Sequence, residues 1–346
     1  VTLTKHSVDY LGIVADVSAP GHTNAVRLIT AVLGDITKQD VDAVVNAANT
    51  TMRGGGGVDG AIHREGGPAI LRDCIERFPN GLPTGDAGWT GTGNLPARWV
   101  IHTVGPKYAA GQRDRSLLKS CYRRALQVAD ELGARSVAFP LVSMGAYGWP
   151  RREAIAIAIQ SVADADTDVA EVRFIAFDSA TYEAVRKHIA MWTPIRILQG
   201  VRALHERGYD GVRVLPGMSP SGMYWRVTIT TVDNMDPGGG EYLSDYEAAV
   251  TYTSGGLTEF AGTEVTVTTN PEIVAGIILS ALPKLATTAD DPAYVAWYAG
   301  LVQLVERTGE LPVAYDEYFD GTEGWEVGWG GDIRYPHPPK PAKDPR

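Results

Sequence analysis

From Val26 onward, apolar and polar positions alternate between two rhythms. "VRLITAVLGDI" (26–36) and "VDAVVNAA" (41–48) are short, β-branched, nearly unbroken apolar runs. Such runs are the mark of strands buried on both faces. "RWVIHTVG" (98–105), "SVAFPLVS" (136–143) and "EVRFIAF" (171–177) read the same way. Between them the spacing becomes helical. One helix is expected from Asp59 to Phe78, closing before Pro79, and another from Arg113 to Leu132, with Leu117, Leu118, Tyr122, Ala125 and Leu126 on one side. Two more are expected over Arg151 to Ala163 and Thr181 to Met191. Strands that alternate with helices predict an α/β layered fold around a parallel or mixed sheet.

The rhythm changes after "WTPIR" (192–196), which reads as a seam. Beyond it come a helical stretch (197–211), strand-like "VRVLP" and "YWRVTITTV", a glycine turn "DPGGG", and helices over 271–286 and 292–308. The organisation expected is a lead segment (1–23), an α/β domain (24–193), an α+β accessory domain (194–320) and a Gly/Pro-rich tail (321–346).

Composition narrows the function classes. Of 346 residues, 44% are hydrophobic and 21% charged, as in a globular protein, and the net charge is −10. That charge argues against general binding to a nucleic-acid backbone, although it leaves room for a local anion pocket. Cys74 and Cys121 are too few for a disulfide framework and lie outside zinc-ligand spacing, so no metal is expected. No apolar run is long enough to span a membrane. The opening residues lack a signal peptide's basic and apolar regions, and a cytoplasmic location is expected.

"NAANTTMRGGGGVDGAIHR" (46–64) raises a chemical question, because four successive glycines are costly to order. Glycine lets backbone N–H groups crowd a ligand, and the helix behind carries orphan N–H groups and a partial positive charge. Together they suit a phosphate. The run lacks the GK[ST] of a P-loop and the spacing of a dinucleotide fingerprint. A second small-residue loop, "PLVSMGAYGWP" (140–150), also follows a strand and precedes a helix. Loops at the carboxyl ends of strands converge on one crevice, so the pair is suited to clasp a diphosphate.

Four segments in this order, "NAAN", "GGGGVDGAIH", "LPARWVIHTVGP" and "FPLVSMGAYGWP", resemble the macrodomain family and its MacroD-type branch. The resemblance spans about residues 24–193. It implies a three-layer α/β/α fold with a mixed central sheet and an ADP-ribose crevice. It further implies removal of mono-ADP-ribose from acidic side chains, or deacetylation of O-acetyl-ADP-ribose, without metal or organic cofactor. The implied partners are ADP-ribose and mono-ADP-ribosylated proteins, with nucleic acid expected only as an ADP-ribosylated substrate.

The same resemblance assigns residues. Asp35 and the Ile36 N–H match the positions that meet adenine, and Phe177 the aromatic that lies against it. Asn49 matches the amide that holds the distal ribose. Asp59, ten residues on, matches the catalytic carboxylate, although a first-turn helix acid has its own electrostatic rationale. The diphosphate is expected against Gly56, Gly57, Val58, Ser143, Met144, Gly145, Ala146 and Tyr147. Asn46 is expected to brace its loop, and His63 and His102 match positions the family treats as structural. One departure stands out: Met144 replaces a threonine usual in MacroD-type loops. The rival reading is a non-catalytic ADP-ribose reader that recruits a C-terminal effector. In that half Ser219, Ser221 and Arg226 are anion candidates, Glu241, Asp245 and Glu247 an acidic group, and Trp325 and Trp329 a stacking surface. Each has an ordinary turn, solvated-face or docking reading beside it.

Overall fold

The computed structural model describes residues 27–209, 212–219, 222–229, 248–251, 258–260, 263–265, 268–281 and 292–308. The lead segment 1–23, the tail 321–346, and Ser221, Glu241, Asp245, Glu247, Trp325 and Trp329 lie outside the described residues.

Strands β1 (Leu28–Leu33), β2 (Ala43–Ala48), β3 (Ala87–Thr90), β4 (Trp99–Val104), β5 (Ser136–Phe139) and β6 (Glu171–Ala176) form one sheet in the order β1-β6-β5-β2-β4-β3. All pairings in it are parallel except β3 with β4. The alternation along β2 shows how the layers divide. Ala43 and Val45 join one core, while Val44 and Ala48 join the other. On the second face lie α1 (Gly57–Gly66) and α2 (Pro68–Arg77), which contribute Ile62, Ile70 and Cys74. On the first lie α3 (Arg115–Glu131), α4 (Arg151–Ala163) and α5 (Ser179–Glu206). This is the three-layer arrangement with a mixed sheet that the sequence predicts.

Two helical expectations change. The single helix expected over 59–78 is broken after Gly66. Gly67 takes φ 78°, closes α1 by donating to His63 O, and Pro68 opens α2. A glycine cap followed by proline at the first helical position is a stop and a restart. The seam expected at 192–196 lies inside α5, which runs unbroken through Pro194. An interior proline costs about 3 kcal/mol, whereas each large apolar side chain buried returns about 1.5–3 kcal/mol. Trp192, Ile195, Ile197, Leu198, Val201 and Leu204 are all buried here, so packing prevails.

Their partners come from the C-terminal half. Helices α6 (Pro271–Ala281) and α7 (Pro292–Thr308) add Val274, Ile278, Tyr298, Val302 and Val305 to the core that holds Ile155 and Ile159 of α4. Polar contacts seal the junction: Gln199 Nε2 donates to Glu306 Oε1 at 2.8 Å, and Arg196 pairs with Asp164 at 2.6 Å. Strands β7 (Val212–Ser219), β8 (Gly222–Ile229) and β9 (Ala248–Thr251) form an antiparallel sheet, with Ser219 on β7 and Arg226 on β8. Strands β10 (Thr258–Phe260) and β11 (Thr263–Val265) form an antiparallel pair. Among the described residues no helix is long and apolar enough to cross a membrane.

The α5–α6 contact supplies a test. A Cβ added at Gly200 would stand 2.6 Å from Val274 Cγ1. Gly200→Leu should therefore lower unfolding stability by about 1–3 kcal/mol, as overpacking does. Chemical denaturation reads this loss; an unchanged midpoint would mean that the two helices are not in contact there.

Candidate active site

After β2 the chain moves toward β4 and β3; after β5 it moves toward β6. The carboxyl ends of neighbouring β2 and β5 are therefore the point where the winding reverses, the place where a crevice opens in such sheets. The expected site residues all follow strand ends: Asp35 and Ile36 after β1, Asn49 through Asp59 after β2, Ser143 through Tyr147 after β5, and Phe177 after β6.

Asp59 sits in the first turn of α1, whose N-cap is Gly56 with no side-chain cap. Its carboxylate does not cap the helix. It turns under the glycine run, only 4% exposed. Asn46 Nδ2 donates to Asp59 Oδ1 at 2.8 Å, and His63 Nε2 lies 3.4 Å from the same oxygen. Asn49 Nδ2 lies 3.4 Å from Oδ2 and donates to Gly54 O at 2.8 Å, while Asn49 Oδ1 accepts from the Thr51 N–H and hydroxyl. Gly55 is required by close approach, since a Cβ there would stand 2.9 Å from Asp59 Oδ2. Asn46, expected to brace the loop, is instead a strand residue that holds the carboxylate. His63, expected to be structural, touches Asp59; its i,i+4 spacing from that acid was the available signal.

Gly56, Gly57 and Val58 begin α1, where N–H groups have no partner within the helix. Positions Gly56, Gly57 and Gly145 all face open space. Across the crevice, Ser143 takes the left-handed region (φ 64°), and its buried hydroxyl has no hydrogen-bond partner among the described residues. Gly148 N–H donates to Gly145 O and Trp149 N–H to Ser143 O, which closes the loop, while the Ala109 N–H ties Tyr147 O to the neighbouring segment. Met144 is turned differently: its N–H donates to Leu141 O at 3.3 Å and its side chain packs on the core. The Tyr147 phenol is held above its ordinary range, first by burial and then by the negative charge of Asp59.

At the other end, Asp35 caps the turn Ile36–Lys38 by accepting from the Thr37 N–H and hydroxyl at 2.8 Å. Phe177 is 89% exposed, whereas Phe174 in the same segment is fully buried. Leu33, whose strand pairs with Ala176, is also exposed. Phe177 is thus an uncovered aromatic that follows the strand next to the Asp35 turn.

Beneath Asp59 lies a buried polar row. Asn46 and His102 are partners in the β2–β4 register. Asn46 Nδ2 meets His102 Nδ1 at 3.0 Å, and His102 Nε2 meets Thr90 Oγ1 at 2.8 Å. Desolvation, and then the neighbouring His63, push His102 down to about 3. His63, Cys74 and His102 bring their ligand-type atoms within 4.8 Å of one another. Both His102 nitrogens are already engaged, and burial pushes the Cys74 thiol up to about 11, so this trio is poorly suited to hold a metal.

The Macro domain family model matches residues 45–158. A macro domain-containing protein of Streptomyces coelicolor is 57% identical over 160 residues, which is 45% of this chain and 95% of that protein. The chain belongs to the macrodomain family. A relative from Pantoea vagans named O-acetyl-ADP-ribose deacetylase 1 is 44% identical to this macrodomain over 167 residues, 46% of this chain and 98% of its own. A solved Trypanosoma brucei macrodomain in complex with ADP-ribose is 40% identical, with 46% of this chain and 68% of that one covered, at a TM-score of 0.42.

The depressed His102 sets a pH dependence for the macrodomain. In the unfolded chain this group binds a proton below about pH 6.5, while in the folded chain it stays bare down to about 3. The stability it contributes is therefore complete above pH 6.5 and drains away as pH falls. The slope should reach about 1.4 kcal/mol per pH unit between those values. Urea unfolding at pH 4 to 7 should show that slope diminished in His102→Gln; equal slopes in parent and variant would refute it.

Proposed function

We propose that this macrodomain binds ADP-ribose across the crevice and hydrolyses it from its attachments, as a mono-ADP-ribosyl hydrolase and O-acetyl-ADP-ribose deacetylase acting in the cytoplasm. Family membership supports the ligand, and the name of the Pantoea vagans relative supports the ester chemistry. The observation that carries the reading is the Asp59 carboxylate, buried and hydrogen-bonded beneath the glycine turn.

In this reading adenine lies on Phe177 with Asp35 and the Ile36 N–H at its polar edge. The diphosphate takes the N–H groups of Gly56, Gly57 and Val58 on one rim and of Gly145, Ala146 and Tyr147 on the other, with Ser143 shaping the second rim through its left-handed backbone. Met144 supports the rim by packing and adds no hydroxyl. Asn49 and Tyr147 flank the distal ribose. A water held between Asp59 and the phosphate attacks either the anomeric carbon, releasing the side-chain carboxylate, or the acyl carbon, releasing acetate. Its proton passes to Asp59 or to the phosphate; in the ester case it goes on to the ribose oxygen that leaves the acyl carbon, and ADP-ribose is the second product. Orientation of this kind is worth up to about 7–11 kcal/mol of barrier. Mono-ADP-ribosylated proteins are the macromolecular substrates.

Asp59→Ala should retain ADP-ribose binding by calorimetry and lose about a hundredfold to ten-thousandfold in turnover of O-acetyl-ADP-ribose. Parental turnover in the variant would remove Asp59 from the mechanism, and a parent chain that binds without turnover would be a reader. Gly56→Glu places bulk and negative charge on the phosphate rim and should abolish ADP-ribose binding. Heat of binding equal to the parent's would contradict the placement of the diphosphate.

A further inference from the structure

The catalytic carboxylate does not stand on its helix alone. Asp59 Oδ1 is reached by Asn46 Nδ2 at 2.8 Å, and Asn46 is fully buried on β2. The same amide nitrogen meets His102 Nδ1 at 3.0 Å. An amide nitrogen can only donate, so His102 Nδ1 must be the acceptor and its proton must sit on Nε2. That proton is donated to Thr90 Oγ1 at 2.8 Å, and the Thr90 hydroxyl donates onward to Gly91 O at 3.0 Å. The alternative amide orientation would turn an oxygen toward the Asp59 carboxylate and lose that hydrogen bond. Every member lies on the α1/α2 side of the sheet, so strand register and not loop geometry fixes it.

We propose that Thr90, His102 and Asn46 form a polarised positioning chain, running from β3 through β4 and β2, that pins one oxygen of Asp59 and leaves the other directed at the water in the crevice. Asn46 and His102 are positioning residues, because neither reaches the ligand side of the carboxylate. The chain works in one protonation state only. An imidazolium at His102 would present a donor to the Asn46 amide and push the amide off Asp59. The groups facing His102 are His63, with ring centroids 6.3 Å apart, Cys74 at 3.8 Å, and the charges of Asp59 and Asp73. Burial outweighs the two acids and keeps the ring neutral.

The kinetic part of the test rests on the hydrolase reading; the spectroscopic part does not. In the full chain, long-range proton–nitrogen correlation of the His102 ring between pH 5 and 8 should show Nε2 protonated and Nδ1 bare throughout. An imidazolium, or the Nδ1–H tautomer, overturns the chain outright. In turnover of O-acetyl-ADP-ribose, Asn46→Ala should lower kcat by about tenfold to a hundredfold, the cost of a misaimed group, with KM within about threefold. Asn46→Asp places a second carboxylate against the first. Two acids that close cannot both ionise readily, so the acid limb of the kcat profile should move up by about one pH unit or more. A residue that merely braced the loop would leave that limb in place, and superimposable profiles would overturn the proposal. A parent chain with no turnover would defeat the hydrolase reading alone. The His102 tautomer, and its displacement in Asn46→Ala, would then decide the positioning chain.

Discussion

Placing the Asp59 carboxylate out of water is the constraint around which the macrodomain half is arranged. A buried anion is tolerable only when donors surround it. That requirement explains why two asparagines flank it, why His63 stands one helical turn away, and why Gly55 has no side chain. It reaches further, into the sheet. Asn46 can serve as donor because β2 lies beside β4 in one register, which brings His102 directly opposite. A one-residue slip of either strand would send one of the pair to the other core and leave the carboxylate without its shortest hydrogen bond.

If the crevice takes the proposed diphosphate, a chain of net charge −10 has a second problem to solve. The crevice solves it with main-chain dipoles. The start of α1 and the loop after β5 offer N–H groups at positions where open space replaces side chains. Such donors are fixed in place, carry no rotamer entropy, and recognise a phosphate wherever the backbone can approach it.

Much of this was legible in the residues. The buried strands declared themselves through β-branched runs, and the glycine run with its following helix marked one rim. The break between α1 and α2 is also written in the sequence, as Gly66-Gly67-Pro68, a glycine cap followed by proline at the first helical position. Other features had no local signature. Strand β3 is four residues long and pairs through Gly88, too short to show a rhythm. The contact between Asn46 and His102 exists only once two strands separated by a helical pair have been laid side by side. Phe177 ends an apolar run that looks like core throughout, and only the end of β6 turns it outward. The seam at 192–196 was read from the change of rhythm beyond it. Nothing local shows that Trp192, Ile195 and Leu198 share one buried core with helices far along the chain, and α5 continues through Pro194.

Helix α5 begins beside Phe177 and ends within the C-terminal half. A module joined by a loose tether meets its neighbour at an effective concentration set by the tether's length. Here no such tether intervenes along α5, and the helices docked on it inherit their bearing from the macrodomain. Anything that seated on α6 or α7 would meet the macrodomain in a single orientation, so shape, and not local abundance, would govern such an encounter.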